Sequence, residues 1–224
     1  MKTAVAVLLA FACVFVEGAH AGFIDSAGVD LPGASTGTVG PVGATPSPNN
    51  DDAPGVNPNV VQYALFLNSF GTVETVFAVT NSAGTTEYVL TQTLVNNSGV
   101  DWAGFRFELG FGSGSAFSSS GVADGLDFDA PSLDPLPVSS AFADLAAQAD
   151  VLSWSGGLVI PVGATTFRFS IDVPDNLSQW HPQGLNAFTL RQVPVTSSVV
   201  AEPAMLPLLL LGIATALRLR RVRA

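Results

Sequence analysis

Cysteine is almost missing from this chain: the single one, Cys13, lies in an apolar stretch near the N-terminus. The residues beyond it have neither a disulfide nor a thiolate, so their stability has to come from a sufficient core. Histidine is nearly as scarce, with His20 and His181 alone. Past the N-terminal stretch no second imidazole is present to complete a zinc site. A Ser-His-Asp arrangement would rest on His181, which Trp180 and Pro182 flank in a segment that reads as an exposed loop, and no G-x-S-x-G elbow occurs. Lysine occurs once, at Lys2. Between Gly22 and Glu202 three arginines (Arg106, Arg168 and Arg191) stand against seventeen acids, a net charge of −14. Such a surface excludes nucleic acid, whose phosphates demand Lys and Arg. It favours solubility through self-repulsion and attracts divalent cations.

Long apolar runs occur only towards the two ends. At the first, Lys2 precedes an apolar run over 4–16 and an A-x-A pattern at Ala19-His20-Ala21. This is the layout of a secretory signal peptide over 1–21, cleaved before Gly22. The residues before Cys13 match a lipoprotein signal poorly, and apolar residues continue after it. At the other end, Ala201-Glu202-Pro203 leads into an apolar run over 204–217. That run stops at Arg218, Arg220, Arg221 and Arg223. The leucines favour transfer into a bilayer while the arginines resist crossing and hold the cytoplasmic side. The run is shorter than the roughly 20 residues of a comfortable span, which suits a temporary anchor. The plain alternative is an ordinary tail anchor or stop-transfer segment. Positive charge at both extremes keeps both ends cytoplasmic during export by the Sec route.

A Glu-Pro element, a short Leu/Gly/Ala-rich helix and a terminal Arg cluster together resemble the PEP-CTERM sorting signal of Gram-negative bacteria. The usual Pro-Glu-Pro is here Ala201-Glu202-Pro203, a departure at one residue. The resemblance implies that a membrane protease-transpeptidase, exosortase, cuts near Glu202-Pro203 and passes the protein to the cell surface or medium. The body, particularly 85–111 and 167–192, is similar to the choice-of-anchor class of surface domains, whose members carry interchangeable C-terminal anchors.

Residues 22–58 are rich in Gly, Pro, Ser, Asn and Asp and read as a disordered linker, with Phe23 and Ile24 able to add a short strand. From Val60 the period is two. Tyr63, Leu65 and Leu67 alternate, as do Val73, Thr75, Phe77 and Val79. The clearest signal is Phe105, Phe107, Leu109 and Phe111, with Gly104, Arg106, Glu108 and Gly110 between them. One face is core and the other wet. Phe167, Phe169, Ile171 and Val173 repeat the arrangement, and Phe188 and Leu190 follow with Arg191 turned to water. Further strands are predicted over 150–155 and 158–160, and one short helix over 141–149, where Phe142 and Leu145 are three apart. The sum is an all-β domain over 59–196, an antiparallel β-sandwich of about eight strands. The sorting tail, with its short hydrophobic helix, occupies 197–224.

Candidate chemistry in the body is thin. Asp124, Asp127, Asp129 and Asp134 crowd a Gly-containing stretch, and such hard oxygen donors suit Ca²⁺, although the spacing is not that of an EF-hand loop. Otherwise no cofactor is indicated, and the aspartates read equally well as a solvated loop around a core-plugging Phe128. Glu74, Glu87 and Glu108 enlarge the set from which a glycosidase pair could be drawn. Trp102, Trp154 and Trp180 are potential sugar platforms, but Trp102 and Trp154 read better as core. The expectation is therefore a non-enzymatic surface or matrix protein, structural or adhesive, with exosortase and exopolysaccharide as the partners the resemblance implies. A carbohydrate-binding or carbohydrate-active sandwich and a tail-anchored periplasmic domain are the alternatives.

Overall fold

The computed structural model describes residues 22–31, 33, 35–39, 59–81, 86–129, 133 and 135–197. They form twelve strands: β1 (Gly22–Asp30), β2 (Thr36–Val39), β3 (Val60–Leu67), β4 (Val73–Asn81), β5 (Thr86–Asn96), β6 (Gly104–Phe111), β7 (Ser118–Ser119), β8 (Val138–Ser139), β9 (Phe142–Gln148), β10 (Val151–Gly157), β11 (Ala164–Val173) and β12 (Ala187–Val195). Two single 3-10 turns, Gly114–Ala116 and Leu177–Gln179, complete the regular structure. Among the described residues no helix is long and apolar enough to cross a membrane.

One sheet runs β1-β4-β12-β6-β10-β9, with β7 added to β6, and the other β2-β3-β5-β11-β8. The period-2 residues of both meet in one hydrophobic core. Phe105 and Phe107 of the first sheet pack on Phe167 and Phe169 of the second, with Phe107 4.9 Å from each of the latter two ring to ring. Trp154 and Phe142 close on Phe167 from neighbouring strands. Each large ring buried this way contributes about 1.5–3 kcal/mol, and the alternation that placed them is the reason two sheets form. Trp102 and Trp154 are core residues, as their positions beside strands imply.

The strand pairs are antiparallel with one exception: β3 and β5 pair in parallel, from Val60↔Val89 to Leu67↔Asn96. The chain leaves β3, forms β4 in the opposite sheet, and returns to enter β5 from the end at which it entered β3. A parallel neighbour needs such a crossover, and here a strand supplies it in place of the usual helix.

Three readings of the sequence change. Residues 22–30 and 36–39 are not linker: β1 pairs with β4 along its length and β2 with β3, while 32, 34 and 40–58 lie outside the described residues. The register of β1 shifts between Ile24 and Ser26, and the Ile24 N–H donates to Tyr88 Oη of the facing sheet at 3.0 Å. The helix over 141–149 is β9, an edge strand in a tight hairpin with β10. Alanine-rich composition favours helix only weakly, and a ladder of backbone bonds outweighs it. Gly157 makes the approach possible, since a Cβ there would lie 1.9 Å from the Ala141 carbonyl oxygen. Residues 158–160 contribute a single bridge, Trp102↔Val159, rather than a strand.

Candidate functional site

Four charged side chains on the outer face of the larger sheet fall into one row. Asp30 of β1 is in register with Glu74 of β4, Glu74 with Arg191 of β12, and Arg191 with Glu108 of β6. Cross-strand partners on one face stand about 5 Å apart, so the arginine sits between two glutamates. Its Nε and Nη2 both donate to Glu74 Oε1, at 2.9 and 2.6 Å. Glu108 is held by Arg106.

The loop after β6 folds back over this row. Gly114 N–H donates to Glu74 Oε2 at 2.6 Å, and Arg191 Nη2 donates to the Gly114 carbonyl at 2.9 Å. The Phe117 ring lies where a Cβ on Gly110 would be, and the Arg191 guanidinium sits 3.6 Å from its centroid. Glycine at 110 is thus what lets the ring lie flat on the sheet, where it favours the cation. Glu74 is buried as a result, and Arg191, expected to face water, is only partly exposed.

Asp30, Leu31, Thr72, Glu74, Gly114 and Arg191 line a cleft of about 410 Å³ beside this ion pair. The guanidinium bonds given above use three of its five N–H donors. With two carboxylates and one guanidinium the cleft carries a net negative charge, which disfavours an anion. Sequence reasoning named Glu74 and Arg191 separately. Their pairing is set by strand order, which no local pattern reveals.

The aspartate stretch is arranged mainly for its own loop. Asp124 accepts from Ser120 Oγ and from the backbone N–H groups of Gly121 and Leu126, at 2.6–3.0 Å. Asp127 bridges to Asp172 through the backbone, its carbonyl accepting the Asp172 N–H at 2.9 Å. Asp129 is buried at a left-handed φ of 50°, and its carbonyl accepts from Leu133 N–H. Phe128 plugs the core against Phe169. Asp150 joins this group from the β9–β10 turn. Burial and then the nearby Asp124 carboxylate raise its pKa, with Asp127 adding to the effect and the Ser120 hydroxyl opposing it. Among the described residues no group of three or more His, Cys, Asp or Glu side chains is placed to hold a metal ion. Asp134 lies outside the described residues.

His181 is buried rather than exposed, and desolvation lowers its pKa. Its Nδ1 accepts the Gln183 N–H at 3.2 Å. In a catalytic triad that nitrogen donates to a carboxylate, so the observed bond is the wrong way round for one. Trp180 is exposed, but Trp102 and Trp154 are not available for stacking on sugar. Gly22 opens β1 with no room for a side chain, a Cβ there falling 2.4 Å from the Pro174 carbonyl oxygen. Ala19 and Ala21 of the cleavage signal, Ala201, Glu202 and Pro203, and Arg218, Arg220, Arg221 and Arg223 lie outside the described residues. Neither a scan against protein-family models nor searches of the curated proteins and of the solved structures find a match for this chain.

Proposed function

We propose that this is an exported, non-enzymatic protein of the cell surface or extracellular matrix, structural or adhesive, released from a temporary membrane anchor by exosortase and associated with exopolysaccharide. The observation that carries the reading is the pairing of the two ends: an A-x-A export signal at 19–21, and an Ala-Glu-Pro element, apolar block and Arg cluster over 201–223. The body fits that life. It has no cysteine with which to form a disulfide, carries a net charge of −14, and buries most of the aromatic residues of its strands in one core.

Intact-mass and C-terminal sequencing of the protein from surface, medium and membrane fractions of its host tests this. The expected product begins near Gly22 and ends near Glu202. A chain that keeps 218–223 and stays in the membrane fraction overturns sorting and leaves a tail-anchored periplasmic domain.

A second reading, carbohydrate binding, is favoured by the cleft between Asp30, Thr72 and Arg191. Titration calorimetry with the host's own exopolysaccharide, comparing the wild type with Asp30→Asn, is expected to show heat that the variant loses. Equal heats, or none, remove the cleft from consideration.

A further inference from the structure

Several strand ends and loops of this domain meet at the end where the chain leaves it. The registers Leu67↔Asn96, Ala164↔Val95, Gly104↔Val195 and Gln192↔Val73 bring the loops 68–72, 97–103 and 158–163 to the same end as the exit at 196–197. Hydrogen bonds fasten them together. Asn97 N–H donates to the Leu67 carbonyl and its Nδ2 to Asn68 Oδ1. Asn96 Nδ2 donates to both the Val100 and the Val159 carbonyls, at 2.8 and 2.9 Å. Val162 N–H donates to the Asn96 carbonyl and Ala103 N–H to the Val195 carbonyl.

On this fastened platform Phe70, Val100, Leu158, Ile160, Val162 and Val195 are 39–82% exposed. Among all residues of those loops and the exit, Asp101 is the sole charge. The opposite end holds Glu87, Asp124, Asp127, Asp129, Asp150 and Asp175. Val162, the most exposed of the six, also has a φ of +67°. A β-branched residue is strained there, and Gly or Asn would be relaxed. An apolar side chain is thus kept in water at a position where local physics favours two other residues. Such conflicts mark interaction sites.

The length of chain beyond the exit argues for the occupant. Eight residues, 196–203, separate Val195 from the apolar block 204–217, a reach of at most about 30 Å. When that block is in lipid, this end of the domain is the one brought to the bilayer. We infer that the loops 97–103 and 158–163 dock on the lipid surface, Val100, Leu158, Ile160 and Val162 entering the interfacial layer while the acidic end points away from anionic headgroups. The inference rests on reading 204–217 as membrane-embedded.

The chain from Gly22 to Ala224, which has no cysteine of its own, is labelled with an environment-sensitive fluorophore at Ile160→Cys or, as a control, at Val122→Cys, which is 96% exposed and lies beside Asp124. Both are reconstituted with vesicles of phosphatidylethanolamine and phosphatidylglycerol, with and without a nitroxide-bearing lipid. Expected is co-flotation of both, a blue shift and lipid-dependent quenching at 160, and lipid-free behaviour at 122. Adding Leu158→Asp and Val162→Asp abolishes the shift at 160 but not flotation. A label at 160 as wet as that at 122 on a chain that floats overturns docking and leaves the tail reading standing. A chain that does not float overturns the tail reading and docking with it. A label already dry without vesicles also overturns docking, showing a second copy on the surface if the effect depends on concentration and the chain's own tail if it does not.

Discussion

His181 has its imidazole buried and its Nδ1 committed as an acceptor to Gln183. Its folded pKa lies below 6.5, so as pH falls through 6.5 the unfolded chain takes a proton that the folded one resists. Stability is therefore lost on the acid side. His181→Asn keeps an acceptor near the Nδ1 position without the titration. Urea unfolding at pH 7.5 and 5.5 should show the wild type losing stability relative to this variant, and parallel losses would refute the assignment. Asp150 works in the other sense at lower pH. Its folded pKa is raised above 3.8, so the stability it contributes is lost as pH rises from there. At Val162 relief of the left-handed backbone should dominate, since the side chain is 82% exposed. Val162→Asn is expected to stabilise by about 1 kcal/mol, read as a higher Tm; a lower Tm would mean that the valine packs in the folded state.

At the scale of elements, the facing strands β5 and β12 are joined by more than apolar contact. Gln92 Nε2 donates to Gln192 Oε1, and Gln192 Nε2 donates to Thr75 Oγ1 at 3.1 Å and to Tyr63 Oη at 3.4 Å, all within the core. Burial raises the Tyr63 pKa far above 10, and Tyr88 is pushed up to about 12. Folding thus weakens as pH rises above 10, where unfolded tyrosine ionises and these two resist. Gln192→Leu strands several buried polar partners and should cost about 1–3 kcal/mol. Adding Gln92→Leu should recover part of that loss, since the pair is then apolar on both sides. A double-mutant cycle in guanidinium measures the coupling, and strict additivity would remove the pair from the account. Strands built on alternation, such as β6 with Phe105, Phe107, Leu109 and Phe111, are legible from sequence because period 2 is the geometry of the pleat. β1, β2 and β9 are not. They are edge strands that put few large side chains into the core, Ile24 and Phe142 apart, and backbone bonds, which Gly, Ser and Ala make as well as any residue, hold the rest.

For the molecule as a whole, the dominant long-range term is charge. Residues 22–202 carry −14, and self-repulsion on that scale opposes compactness. Raising salt from about 10 to 500 mM shortens the screening length from roughly 30 Å to below 8 Å. Thermal unfolding at pH 7 should therefore move to higher temperature. A Tm that falls with salt would show that the Arg191–Glu74 and Arg106–Glu108 pairs outweigh the repulsion. The charges are unevenly placed: the loops 68–72, 97–103 and 158–163 carry Asp101 alone, whereas Glu87, Asp127, Asp172 and Asp175 gather at the opposite end, an asymmetry invisible until strand order assigns each loop to an end.

The sequence by itself determined the all-β character of this protein, the aromatic core and the acidic balance. Each follows from residue type and a period of two, both local. Tertiary structure decided the parallel β3–β5 pair, the strand fate of 142–148, the burial of His181, the cleft beside Glu74 and Arg191, and the apolar end around the exit. These depend on which strands become neighbours, and neighbours distant in sequence are chosen by the closure of the whole core rather than by any segment's own preference.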